Sequence, residues 1–146
     1  FVGNVVQQNE IARFSRTLGI LCRNDVPLLD ALSTARCTMS NLVLRDVLTA
    51  VETEVRQGKT LDAALTATGS IPELALRLVR IGEQTSQLPR MLARVADIYQ
   101  SAVERRLDRF ATLISPILTI VIGVGIGGLV ISIMTALVGL NDLALR

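Results

Sequence analysis

The chain has 146 residues, 15 Lys or Arg against 13 Asp or Glu, no His and no Trp, and half of its residues are hydrophobic. A formal net charge of +2, with three Phe and one Tyr, supplies neither the basic surface nor the aromatic platform of a nucleic-acid binder. Without His the commonest general base and metal ligand are both missing, and two Cys alone make no structural zinc site of the usual kind.

Before residue 110, apolar residues recur at spacings of three and four instead of alternating, which predicts helices throughout. Ile11, Phe14, Leu18, Leu21 and Cys22 set a first helix at 8–23. Asp25 ahead of Val26-Pro27 places a capping acid before an early-turn Pro and opens a second at 26–36. Leu42, Leu44, Val47, Leu48, Val51 and Val55 set a third at 41–57. Gly58 stops it, and Thr60 caps a short fourth helix at 60–67 that carries Leu61, Ala64 and Leu65. Gly69 ends that helix, and Ser70-Ile71-Pro72-Glu73 reads as a capping box for a fifth at 71–84, in which Gly82 is a stop or a point of close packing. Ser86 opens Gln87-Leu88-Pro89 in the same way. The sixth helix, 87–108, has Leu88, Met91, Leu92, Val95, Ile98, Tyr99, Ala102, Val103 and Leu107 along one face. Short connections predict antiparallel neighbours. Cys22 and Cys37 sit in apolar stretches and are expected to be small buried hydrophobes in a reducing compartment.

Residues 110–141, between Arg109 and Asp142, contain no charged side chain. A helix of that length reaches about 48 Å, whereas a bilayer core of about 30 Å needs only ~20 residues. As a soluble core helix it would need cover on every face, and the rest of the chain is too short and too charged to supply it. Its position at the C-terminal end excludes a signal peptide. The expected organisation is a helical domain at 1–109, a transmembrane helix at 110–141 and a short tail at 142–146, with nothing to break the sixth helix before Pro116. A first residue other than Met suggests a fragment of a longer protein.

Three patterns resemble sites and are better read otherwise. Gly58-Lys59-Thr60 is the tail of a phosphate-binding loop, but Thr53 stands where its first Gly would be, and a helix precedes it instead of a strand. Gly123, Gly125 and Gly128 fit a dinucleotide fingerprint but lie inside the apolar run. There, Gly123 and Gly127 form G-x-x-x-G, and Gly128, Ser132 and Ala136 continue a stripe of small residues suited to close helix packing. Asp97, Glu104 and Asp108 share the sixth helix with Arg94, Arg105, Arg106 and Arg109, which reads as a solvated ion-pair face more than as a cation site or an acid–base pair. No nucleophile, base and orienting group come together, so the pattern supports no enzyme.

The motifs combine into a resemblance. Leu78-Val79-Arg80-Ile81-Gly82-Glu83, followed by Leu88, Leu92, Ala96 and Tyr99, resembles the signature of the type II secretion F / type IV pilus PilC inner-membrane platform proteins. Phe14 to Leu21 resembles the opening helix of that family's repeated domain, Val26 to Leu32 its second helix, and Gly58 to Leu65 its glycine-led short helix. Glu104 to Arg109, Pro116 and the Gly-rich run resemble its exit into the membrane. Gln87 stands where the family often has Gly. Family members carry two such domains and three spans, so this chain resembles the C-terminal half.

The fold expected is therefore all-α, an antiparallel six-helix bundle followed by a single C-terminal transmembrane helix. The resemblance implies a platform that couples a cytoplasmic assembly ATPase to the insertion of pilin-like subunits. It also implies other inner-membrane assembly proteins and further copies of itself as partners, no cofactor and no catalysis. Gly82 and Glu83 of the signature, with Gly123, Gly127, Gly128, Ser132 and Ala136, are the candidates for packing or partner contact. Arg90, Arg94, Arg105, Arg106 and Arg109 precede the run and only Arg146 follows it, which predicts a cytoplasmic bundle on the bacterial inner membrane. The alternative is a single-span adaptor or receptor whose bundle binds an unrelated partner.

Overall fold

The computed structural model describes residues 2–146, and every regular element among them is a helix. The elements are α1 (Val2–Arg23), α2 (Leu28–Cys37), α3 (Leu42–Arg56), α4 (Leu61–Thr68), α5 (Glu73–Gln84) and α6 (Leu88–Ala144). Phe1, where the expected first domain begins, lies outside the described residues. α1 starts earlier than its periodicity predicted, because Gly3 and Asn4 lower helix propensity without breaking the helix. The expected sixth helix and the apolar run form one element of 57 residues. The chain divides into two compact units, Phe1–Glu104 and Arg105–Arg146.

All six helices contribute to the core of the first unit. Phe14 and Leu18 of α1, Leu32 of α2, Leu48 and Val51 of α3, Leu61 and Leu65 of α4, Val79 of α5 and Leu92 of α6 belong to one buried cluster. Ile11, Ala12, Ala75, Val95 and Tyr99 form a second. Each fully buried Leu or Val contributes on the order of 1.5–3 kcal/mol through the apolar area it removes from water.

The helix ends differ from expectation in three places. Asp25 does not cap α2. It is a left-handed residue, φ 62°, that closes α1, with the Val26 N–H donating to the Leu21 carbonyl at 3.1 Å. Ser86 does the same after α5, at φ 55°, with the Gln87 N–H donating to the Gly82 carbonyl at 2.8 Å. This is the Schellman closure, built here without glycine at the left-handed position. Nor does Ser70 form a capping box: its hydroxyl donates to the Thr68 carbonyl, and Pro72 takes the N-cap place of α5 with no side-chain cap, as Pro27 does for α2. A residue ahead of Pro is driven out of the helical region, so neither helix extends back through Val26 or Ile71.

Thr60 does cap α4, its Oγ accepting from the Ala63 N–H at 3.2 Å, and Gly69 ends α4 at φ 63°. Asn41 caps α3, accepting from the N–H groups of Val43 and Leu44. Cys22 is only partly buried, packed against the core cluster, and Cys37, expected to be buried, is exposed. α2 turns Ala31, Leu32 and Ala35 inward, and two residues beyond Ala35 the helix has rotated by about 200°, which puts the Cys37 thiol outside.

Candidate functional site

α4 has eight residues, too few to persist as a helix in water on their own. It is held from outside. The Glu83 carboxylate on α5 accepts from the Leu61 N–H at 3.0 Å and the Asp62 N–H at 2.6 Å, while Thr60 takes the next donor. A carboxylate here meets both the unpaired amides and the positive end of the helix dipole. Arg80, one turn before Glu83, donates from Nε to the Asp62 carboxylate at 3.0 Å. Between them Gly82 lets the next helix approach: a Cβ there would stand 2.9 Å from the Leu88 Cα and 3.1 Å from the Met91 Cβ. The glycine-led segment and the Arg-Ile-Gly-Glu segment, read separately in the sequence, are thus one interlocked construction. Gly82 and Glu83 make these contacts inside the fold.

The same device closes the α2–α3 connection. Glu10 of α1, 4 % exposed, accepts from the Ser40 N–H at 2.9 Å and the Asn41 N–H at 3.3 Å. A second buried acid, Glu52, sits between Arg36 and Arg56 at 3.2 Å from each. Sequence reasoning missed Glu10 and Glu52, although a signal was present. Glu10-Phe14-Leu18, Leu44-Leu48-Glu52 and Ala75-Val79-Glu83 are each spaced by four, so each acid occupies one rung of an apolar ladder that faces the core.

The carboxylates of α6 are distributed otherwise than expected. Asp97 pairs with Arg16 of α1 at 2.9 Å instead of with an arginine of its own helix, and the same guanidinium donates to Gln100 Oε1 at 2.7 Å. Glu104 accepts from Gln100 Nε2 at 3.4 Å. Among the described residues no group of three or more His, Cys, Asp or Glu gathers to hold a metal. Burial pushes the Cys22 thiol and the Tyr99 phenol up, so both stay protonated near neutrality and neither is poised as a nucleophile.

In the second unit the side chains of 110–141 face outward almost throughout. Among the described residues nothing lies within 4 Å of a Cβ built at Gly123, Gly125, Gly127 or Gly128, and Ser132 and Ala136 are exposed on the same helix. Thr112, Thr119 and Thr135 return their hydroxyls to the carbonyls of Asp108, Ser115 and Ile131 at 2.8, 3.0 and 2.8 Å. These three hydroxyls are therefore satisfied within the helix, as a lipid-exposed segment would require. α6 is long and apolar enough to cross a membrane.

The sequence model of the family "type II secretion system (T2SS), protein F" matches residues 14–136, which take in both the interlocked α4–α5 construction and nearly all of the apolar run. The chain belongs to this family. Among its relatives are the type IV pilus assembly protein PilC of Pseudomonas aeruginosa, 32% identical over 130 residues, covering 89% of this chain and 35% of the relative. The type II secretion system protein F of Xanthomonas campestris is 34% identical over 141 residues, 97% of this chain and 35% of the relative. TapC of Aeromonas hydrophila, also named for type IV pilus assembly, is 32% identical over 142 residues, 97% of this chain and 34% of the relative. The chain thus spans about a third of the length of the protein F and pilus assembly relatives it matches. The matched stretch begins after Glu10, so the side chain of one of the two long-range caps stands outside it.

Proposed function

We propose that the chain is the C-terminal repeat and last span of an inner-membrane platform protein in a type II secretion or type IV pilus machine. On this reading residues 1–109 are a cytoplasmic bundle, 110–141 the span and 142–146 a tail outside the cytoplasm. The observation that carries it is the family match across 14–136, on a chain in which a helical unit is followed by an apolar helix of spanning length. The arginine excess before the run, five residues against Arg146 after it, supports the orientation. The platform binds and positions instead of catalysing: its bundle is worked on by a cytoplasmic assembly ATPase, and its span meets sibling spans and pilin-like subunits through Gly123, Gly127, Gly128, Ser132 and Ala136.

Deleting the gene in its host is the direct test. Pili or exported substrate should be lost while pilin-like subunits accumulate in the membrane, and unimpaired assembly would overturn the reading. A periplasm-active reporter fused after Arg146 should be active; activity of a cytoplasm-only reporter there would reverse the orientation.

A further inference from the structure

Six large hydrophobic side chains stand exposed among the described residues of the first unit: Val6, Ile20, Leu42, Val43, Leu74 and Ile81. Four of them gather at one end. α1 and the first part of α6 pair in opposite order, since Gly19 lies against Pro89 and Leu92 while Arg16 reaches Asp97 and Gln100. Glu10, a turn and a half earlier on α1, therefore falls level with the turn that ends at Glu104. Glu10 holds the amides of Ser40 and Asn41, and Leu42 and Val43 follow at once. Gln7 donates to the Ser70 carbonyl at 3.0 Å, which brings Val6 and the start of α5, with Leu74, to the same end. Ile20 lies near the opposite end, level with the start of α6.

Leu42 and Val43 are the most exposed of the six, at 68% and 72%. They occupy the first turn of α3, where a soluble helix favours acids and this one has none. Their end of the unit is also the end from which the chain leaves for the apolar run: six helical steps separate Glu104 from Phe110, about 9 Å. Connectivity alone holds it near the headgroups, whatever the attitude of the unit.

We propose that Leu42 and Val43 dock the helical unit on the surface of the membrane that 110–141 crosses, seating in the headgroup–acyl boundary. The proposal rests on the span reading. A lipid surface fits better than a protein partner, because a stable protein interface takes about 800 Å² from each side and an aliphatic pair at a helix tip offers far less. Burial of an apolar helix edge to a depth of about 5–10 Å is the ordinary mode of interfacial attachment.

The chain has no Trp, so one introduced Trp is its only indole emitter. Leu42→Trp, Val43→Trp, Ile20→Trp and Ile126→Trp would each be made in the full 146-residue chain. Each would be reconstituted in phosphatidylethanolamine–phosphatidylglycerol vesicles with and without brominated acyl chains. Circular dichroism confirms the helix content of each. Ile20→Trp shares any intrinsic attraction of indole to the interface and controls for it. Leu42→Trp and Val43→Trp should be quenched severalfold more strongly by brominated lipid than Ile20→Trp, and less by aqueous iodide. Equal iodide quenching at all three positions overturns the docking proposal, as does shielding of 42 and 43 from both quenchers, which would mean that another protein surface covers them. Absence of lipid quenching in Ile126→Trp overturns the span reading and the docking together; quenching there without quenching at 42 and 43 overturns docking alone.

Discussion

Leu92 and Leu129 lie on the same helix, yet one is 2% exposed and the other 66%. The contrast extends to everything around them. In the unit that ends at Glu104, α6 turns one stripe inward, and polar atoms at helix ends find partners far along the chain: Glu10 serves an amide 30 residues away and Glu83 one 22 residues away. Beyond it, side chains face outward on all sides, and each Thr hydroxyl is met by a carbonyl four residues back on its own helix. Residues 110–141 carry no charge, whereas the first unit is charged throughout its surface helices. Threonines bond the carbonyl four residues back in both regions; what the first unit adds is polar partners found far along the chain.

The sharpest way to break this comparison is to make the same change on both sides of it. Leu92→Ala should destabilise the helical unit by about 2–5 kcal/mol, whereas Leu129→Ala should leave its thermal melt unmoved. Similar shifts from both would mean that the apolar run is part of the soluble core.

The long-range caps come next. Glu83→Ala removes a charged acceptor from two part-buried amides and should cost about 1.5–3 kcal/mol, with amide exchange accelerating first in α4. Arg77→Ala, which breaks only the exposed pair with Glu73, should cost under about 0.5 kcal/mol. If the two variants melt alike, the Glu83 lock is no more than a surface contact.

In the apolar run the corresponding test is steric. Gly127→Ile should weaken association between spans in a membrane crosslinking or two-hybrid assay by on the order of 1 kcal/mol, while Leu129→Ile should not. Unchanged association in both would show the small-residue stripe to face lipid.

Two smaller effects probe the unit's details. Ser86→Gly relieves a left-handed residue at the expense of chain entropy and should stabilise by about 0.5 kcal/mol in denaturant titration. Burial raises the thiol of Cys22, so its contribution to stability is complete below the ordinary value of 9.0 and is lost as pH climbs through the higher folded value. The melting temperature should therefore decline as pH rises above 9.0, and part of the decline should vanish in Cys22→Ala.

The helices were legible because apolar spacing is a local property. Leu44, Leu48 and Val51, or Leu88, Met91, Leu92 and Val95, announce a buried face without reference to anything else. The apolar run was legible for the same reason. The ends of the helices were not. Ser70 and Asp25 carry the right side chains at a capping distance, but the prolines beside them set the backbone, and the donors they were assigned went elsewhere or needed no cap. Glu10 and Glu83 cap helices that no neighbouring residue could identify, since the pairing exists only once α1 meets the α2–α3 loop and α5 meets α4. Glu83 attracted attention through the family signature, while its partner amides were invisible.

The Glu83 lock also bears on how the protein is made. α4 leaves the ribosome before the carboxylate that caps it, and at about 5–20 residues per second the wait for Glu83 lasts ~1–4 s. Eight residues do not keep a helix through that interval unaided. Synthesis therefore delivers the parts in the reverse of the order in which they are needed. A nascent chain arrested before α5 should show helical α1, α2 and α3 and an uncoiled stretch after Gly58, and the fourth helix should appear, with its hydrogen bonds, only when the fifth arrives.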